Sequence, residues 1–482
     1  MLPVTLDRTS GEPLPAQLAA QVRALVLAGT LGTGDRLPSS RALAADLGVS
    51  RAVTEQAYDQ LTAEGWLEAR RGSGTYVTAT RPTGVTSRPT GVTPRPTRAT
   101  SRPTGVTSRP TGVTSPRSAR SLPRSARADE QARRSTSLRS SRLDTGTPFF
   151  DPRLEPGWRR AWREVSVATP PRGYDDPRGV LELREALAAR LGRTRGLDLD
   201  PDEIIVTAGT TDGLRALLPE LRHGPVAVED PGYRAAAETV LTYGREVIDL
   251  PAVDRVADLG PAVAAYVTPA HQHPLGRVMP AADRLALLEA ARRADAVVIE
   301  DDYDSEFRYD VAPVPAMATL DRGRVVYLGT AAKSVIPTLR LGWLVAPPDL
   351  HELIVRRRTI THAGAAWPSQ RALLTLLRDG WLDRAVRSAR RVYAERAPRV
   401  AEAMSPYATL AGPLAGMYST WLLPETDARR ARDAARTAGF EINLLSTYAR
   451  SSGLTGLVIG FGGVTDAELD QALAALTGAL AR

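Results

Sequence analysis

Lys333, in the stretch GTAAKSVIPTLR, is the only lysine of the 482-residue chain; Lys and Arg together number 62, so 61 are arginine. Arginine keeps its proton in any protein setting, whereas a buried lysine can lose it. A neutral primary amine is what condenses with a carbonyl. A single lysine kept in an arginine-biased chain is therefore a candidate imine-forming group. The stretch is not a P-loop, because Ala332 stands where the second glycine is required.

Other chemistry-bearing residues fall where short apolar runs end. TAGTTDG (207–213) follows IIV and opens a helical pattern, and its N–H groups and hydroxyls suit a phosphate. EDPGY places Tyr233 after VAV. IEDDYDSEFRY places Asp301 and Tyr303 after AVV, and GTAAKSVIPTLR places Thr330, Lys333 and Arg340 after VVYL. A phosphate nest, an aromatic face, an acid, a phenol and an amine are the groups that pyridoxal 5′-phosphate requires. The acid keeps the ring nitrogen protonated and the amine forms the imine. His271 and His273 lack a matching carboxylate motif for a metal pair, and no metal is expected. EDD could hold Mg²⁺, although strand-end carboxylates are often simply hydrogen-bonded.

The runs themselves, IIVTAG, VAVED, AAYVTPA, AVVIEDD and VVYLGT, read as strands, and LELREALAARLG and ADRLALLEAARR between them as helices. Strand–helix alternation predicts a mostly parallel sheet with helices on both faces and ligands at the carboxyl ends of its strands.

Charge divides the chain into three. Residues 1–78 hold 7 Arg against 8 acids, residues 79–143 hold 14 Arg against 2 acids, and residues 144–482 hold 41 basic residues against 44 acids. The net charge of +8 thus belongs to the middle. That middle carries five copies of a seven-residue unit, RPTGVTS and its variants, over 81–115. With a proline in each unit and one small apolar position, neither a coiled coil nor a stacked solenoid follows. Residues 79–143 are expected to be a disordered, extended linker, whose arginines suit either non-specific phosphate contact or a solubilising tether. With no cysteine, disulfides and thiol chemistry are excluded. No apolar run is long enough to span a bilayer and no signal peptide is apparent, so a cytoplasmic protein without a membrane partner is expected.

Residues 14–78 read as a compact helical unit. LPAQLAAQVRALVLAG is helical to Gly29. Ser39 or Ser40 caps SRALAADLG, and Ser50 caps RAVTEQAYDQLTAEG. Two short helices across a tight turn form a helix-turn-helix, and WLEAR and TYV around RGSG form a wing. GDRLPSSRALAADLGVSR and GWLEARRGSGTYV resemble the winged-helix domain of the GntR family of bacterial regulators. The resemblance implies that Arg41, Ser50, Arg51, Arg71 and Gly72 touch DNA phosphates or base edges, with Thr54 facing the groove. Glu55 lies where some relatives carry a basic residue, so their operator sequence does not transfer.

Residues of about 145–482 resemble fold-type I aminotransferases. YDDPRGVLELREALA, TPAHQHPLGRVMP, EDDYDSEFRY and GTAAKSVIPTLRLGW together resemble the MocR subgroup, in which a GntR-type domain is fused to an aminotransferase-like one. The resemblance implies a smaller C-terminal α+β subdomain and a homodimer. It makes Lys333 the Schiff-base lysine, pairs Asp301 with the pyridine nitrogen and Tyr303 with the ring hydroxyl, and stacks Tyr233 on the ring. It places Thr210, Thr211, Thr330 and Arg340 around the phosphate or a substrate anion, and His271 and His273 at the ring edge. Three positions depart from the pattern. Ala332 replaces a serine, and His273 replaces an aromatic residue or asparagine. Leu457 and Val458 stand where aminotransferases place the arginine that clamps a substrate carboxylate, with Arg340 or Arg450 as possible substitutes.

The expected domains are therefore 1–78 (winged helix), 79–143 (linker) and 144–482 (cofactor domain). The expected function is a regulator that binds a double-stranded operator and senses pyridoxal 5′-phosphate, or an amine or amino acid, through an internal aldimine at Lys333. The alternative is a working aminotransferase with an accessory DNA-binding domain, against which the missing arginine counts.

Overall fold

The computed structural model describes residues 2–10, 12–70, 73–78, 141–309 and 314–482. Most of the expected linker, together with Arg71 and Gly72, lies outside the described residues. The described residues on either side of segment 82–140 form one compact unit.

Helices α1 (Leu14–Leu27), α2 (Ser40–Leu47) and α3 (Arg51–Ala63) precede a two-stranded wing, β1 (Leu67–Arg70) and β2 (Gly74–Val77). Ser39 caps α2 by accepting from the Ala42 amide, and Gly48 ends it in the left-handed region, as the sequence predicts. Ser50 stands at the N-cap of α3 without a side-chain cap bond. Leu18, Val22 and Val26 of α1 pack on Leu43, Ala57 and Leu61.

The larger sheet contains β4 (Ile204–Thr207), β5 (Val226–Asp230), β6 (Val247–Pro251), β7 (Ala264–Val267), β8 (Val297–Asp302), β9 (Val325–Thr330) and β10 (Gly342–Val345). Their spatial order is β4-β10-β9-β8-β7-β5-β6, with β10 antiparallel to both neighbours and every other pair parallel. Both faces of β7, β8 and β9 are buried, so these runs do not alternate with polar residues before the acids that end β8. β6 and β10 were not among the expected strands.

The second sheet has five strands, in the order β11 (Thr409–Leu410), β12 (Tyr418–Leu422), β14 (Gly456–Gly460), β13 (Phe440–Leu444) and β3 (Ser141–Leu143). β3 falls within the span expected as linker. It pairs in parallel with β13 and buries Leu143 completely beside Phe440 and Ile442, so residues 141–143 belong to the smaller sheet. The smaller subdomain is therefore completed by residues that precede the large sheet.

The winged helix rests directly on the larger domain. The Ala281 amide donates to the Glu64 carbonyl at 2.9 Å, and Trp66 and Leu61 share an apolar cluster with Ala281 and Leu285. The Glu64 side chain is 2% exposed and accepts from Arg23 Nε at 3.1 Å and Gln60 Nε2 at 2.9 Å. Arg284 faces the same junction, and burial pushes its guanidinium down to about 10 against the opposing pull of Glu300 and Glu64. Gly65 adopts φ +77°, and a Cβ there would lie 2.9 Å from Cβ of Pro280. Gly65→Val is expected to destabilise the junction by about 1–3 kcal/mol through strain and overpacking. Urea unfolding should then show the winged helix melting before the rest of the chain.

Candidate cofactor site

Strand alternation sorts the acidic run at the end of β8. Successive side chains point to opposite faces of a sheet. Glu300 and Asp302 face Arg195, which is 1% exposed, and Glu300 also accepts from the Met317 and Ala318 amides at 2.8 and 3.1 Å. Asp301 points the other way, next to Tyr266, whose hydroxyl donates to Oδ2. Its Oδ1 is buried without a hydrogen-bond partner. Burial, opposed by the Tyr266 hydrogen bond and helped by the charge of Asp302, pushes the Asp301 carboxyl up to about 7.

Asp301 lines a cavity of about 610 Å³ with Thr210, Thr211, Tyr233, His273, Tyr303, Thr330, Lys333 and Arg340. Gly209, at φ +111°, turns the chain from β4 into the helix Thr210–Leu217, so that helix's first amides open on the cavity. Lys333 follows β9, and its Nζ donates to the carbonyls of Thr145 and Gly146 at 3.0 and 2.9 Å. Burial lowers the affinity of this amine for its proton, with Asp304, Asp144 and Asp301 opposing. Burial and the charge of Lys333 push the His273 imidazole down to about 3, so it is neutral near pH 7. Its ring meets Tyr233, Tyr303 and Tyr448 edge-on.

Several expected roles change. His271 does not line the cavity. Its Nδ1 contacts Asp304 Oδ2 at 2.6 Å and Tyr303 Oη at 3.2 Å, placing it behind the wall. Tyr303 lines the cavity, and its hydroxyl is already engaged by the His271 carbonyl at 2.9 Å and Tyr418 Oη at 2.7 Å. Thr330 Oγ1 donates to the Leu341 carbonyl and accepts from the Ala332 amide, both at 3.1 Å. Thr54 is fully buried and donates to the carbonyls of Ser40 and Arg51, so it ties α2 to α3 and does not face a groove. Arg450 is not a substitute clamp: its Nε bonds Asp249 at 2.6 Å and its NH2 bonds the carbonyls of Val228 and Glu229. Leu457 and Val458 are fully buried in the smaller core.

Three lining features were not anticipated. Tyr448 enters from the smaller subdomain, the Thr145–Gly146 backbone arrives from just after β3, and Arg234 and Glu238 stand at the exposed mouth. None lies at the end of an apolar run, which was the only local signal available. On the winged helix, Arg41 and Ser50 are exposed, and Arg51 pairs with Glu55 at 2.7 Å. Arg70 lies over the Tyr76 ring on the wing at 4.8 Å.

The cavity fits pyridoxal 5′-phosphate. Asp301 Oδ1 is the unpartnered acceptor that a protonated ring nitrogen needs, the buried amine of Lys333 suits an aldehyde, and Gly209–Thr211 with Arg340 suit a phosphate.

Comparison with known families agrees at both ends of the chain. Residues 14–77 match "Bacterial regulatory proteins, gntR family", and residues 143–476 match "Aminotransferase class I and II". The HTH-type pyridoxine biosynthesis transcriptional regulator PdxR of Corynebacterium glutamicum is 32% identical, covering 99% of this chain and 98% of its own. The probable rhizopine catabolism regulatory protein MocR of Rhizobium meliloti is 34% identical, covering 82% and 77%. The chain is a MocR-type transcriptional regulator. Among solved structures, an archaeal alanine:glyoxylate aminotransferase superposes with a TM-score of 0.64 at 24% identity, over 74% of this chain and 94% of its own. That likeness describes the fold of the regulator's cofactor domain.

Without cofactor, Asp301 binds its proton more tightly in the folded regulator than in the unfolded chain. Its contribution therefore lowers stability as pH rises from about 4 to about 7. Asp301→Asn is expected to raise the melting temperature of the cofactor-free protein at pH 7.5 relative to wild type and to weaken cofactor binding by at least about tenfold. Melting curves across pH, with and without cofactor, check both directions.

Proposed function

We propose that the regulator reads its effector at Lys333, as a sensor with little or no transaminase turnover. The signal is pyridoxal 5′-phosphate itself, or an amine or amino acid that competes for its aldehyde. The observation that supports this is the late strand: Leu457 and Val458 are in the core, Arg450 is committed to backbone carbonyls, and Arg340 of the cavity lining is assigned to the phosphate. When bound, the cofactor supplies an aldehyde that condenses with amines. The chain's part is to hold Lys333 in a buried position that favours its neutral form, keep His273 neutral beside it, and aim Asp301 at the ring nitrogen. Lys333→Ala and Lys333→Arg should both lose visible absorption from bound cofactor and the borohydride-trapped adduct, since guanidinium is not a usable amine. A panel of amino donors should give exchange of the bound aldehyde without sustained turnover; robust turnover would restore the enzyme reading.

The segment from Thr268 to Ala281 offers a direct route from the cavity to the winged helix. Thr268 and His273 line the cavity, and Ala281 holds Glu64. Arg284 clamps both ends by donating to the carbonyls of Pro269 at 3.0 Å and Met279 at 2.8 Å. A cofactor-dependent shift of this segment changes the population of docked winged helices.

DNA is met by the exposed ends of α2 and α3, through Arg41, Ser50 and Arg51, and by the wing. The Glu55 carboxylate holds Arg51 away from phosphates until it is displaced. Arg51→Ala is expected to lower the salt slope of DNA binding by about 1, measured by anisotropy at several salt concentrations. A DNA-binding regulator acts where its operator is, in the cytoplasm. Among the described residues no helix is long and apolar enough to cross a membrane. A homodimer is favoured by Val167, Tyr174 and Ile360, which are 84%, 83% and 70% exposed on the cofactor domain. Light scattering should give twice the 51.7 kDa chain mass.

A further inference from the structure

A second cavity, of about 160 Å³, is lined by β5, β6 and β7 residues and by the segment that follows β7. Its walls are largely apolar, with Leu250, Val256, Val267, Met279 and Leu287 contributing. Two buried polar residues, Glu229 and Gln272, share the lining, and the Gln272 side-chain amide is engaged by the Pro231 and His273 carbonyls and the Leu275 amide. Glu229, on β5, is 3% exposed and shares its sheet face with Val267 and Leu250. Its Oε2 accepts from Thr268 Oγ1 at 2.6 Å, the Thr268 amide at 3.1 Å and Gln272 Nε2 at 3.3 Å. Among the described residues, Oε1 accepts no hydrogen bond from the chain. Burial pushes this carboxyl up to about 7, opposed by the Thr268 and Gln272 bonds and helped by the charge of Asp301.

The remaining charges around the cavity are Asp254, Asp283 and Arg277, and Arg277 Nε donates to the Ala411 carbonyl at 2.9 Å. Three acids against one engaged guanidinium favour a cation. An apolar cavity of this size holds a molecule about as large as benzene. A mostly apolar volume with a few placed polar groups is the usual form of a ligand site.

We propose that this cavity is a second ligand site of the regulator, taking a small alkylammonium ion with its hydrocarbon body against Leu250, Val267 and Leu287 and its charge on Glu229. The site is chemically independent of Lys333, because binding needs a cation and not a condensing amine. Its wall includes Met279 and Pro280, so a ligand there touches the segment on which the winged helix rests.

The probe is triethylammonium, a tertiary amine that cannot form an imine, titrated calorimetrically into the full-length holoprotein at about pH 8, where Glu229 is ionised. The anion 2-ethylbutyrate, of similar shape, is the control. Saturable one-to-one binding of the cation alone is expected, and it persists in Lys333→Ala, so it stands or falls separately from the sensing role of that lysine. Glu229→Gln should weaken it at least about tenfold. Val253→Phe, at a position 44% exposed on the cavity rim, should weaken it by obstruction without touching the core. No saturable binding to the wild type, or binding unchanged in both Glu229→Gln and Val253→Phe, would overturn the proposal.

Discussion

A carboxyl group buried without a cation is the constraint around which the cofactor domain is arranged. Removing a charge from water costs several kcal/mol unless a partner compensates. The strand Val297–Asp302 ends in three adjacent acids, and the fold treats them unequally. Glu300 and Asp302 receive Arg195, itself almost wholly buried, and two backbone amides. Asp301 receives a tyrosine hydroxyl and no guanidinium, and one of its oxygens remains unpartnered. A protonated pyridine nitrogen fits that acceptor. The same burial that raises the acid lowers the amine of Lys333, so both groups become more receptive to one ligand.

This arrangement departs from catalysis at the far end of the pocket. An aminotransferase must hold its substrate's carboxylate as well as its amine. Here the central strand of the smaller sheet offers Leu457 and Val458 to the core, and Arg450 bridges to the large sheet through Asp249 and two carbonyls. The buried amine of Lys333 stands in the cavity, whereas the late-strand positions Leu457 and Val458 present no guanidinium to it, and Arg340 and Arg234 are the arginines of its lining. A site of this kind is suited to recognition, and its neighbour is a DNA-binding module held by Glu64 and Gly65 against Pro280 and Ala281.

The junction gives the recognition event a place to act. The segment between Thr268 and Ala281 is tied at its start to Glu229, near its middle to Tyr303 through His271, and at its end to the winged helix. Few residues separate the cavity from the junction, and the Arg284 guanidinium couples the segment's two ends through their carbonyls. Packed elements joined this way move between discrete arrangements more readily than they deform.

Both domain types, the strands that border the cavity and the placing of Lys333 after one of them were legible in the sequence. Those features are local: apolar runs, caps, turns and the residue that follows each run fix a strand and what its end presents. The single lysine was legible for the same reason, since only an amine does what arginine cannot. The expectations that changed were ones of direction. Thr54 turns inward to two carbonyls, His271 stands outside the cavity lining, and Arg450 is held by the sheet. Tyr448 and the backbone after Leu143 reach the pocket from distant parts of the chain, as does the winged helix its seat on Pro280. No spacing in the sequence encodes such meetings. Residue types and local pattern determined which groups were available, and only tertiary packing decided which of them face the same cavity, because that depends on where separate elements bury their apolar faces.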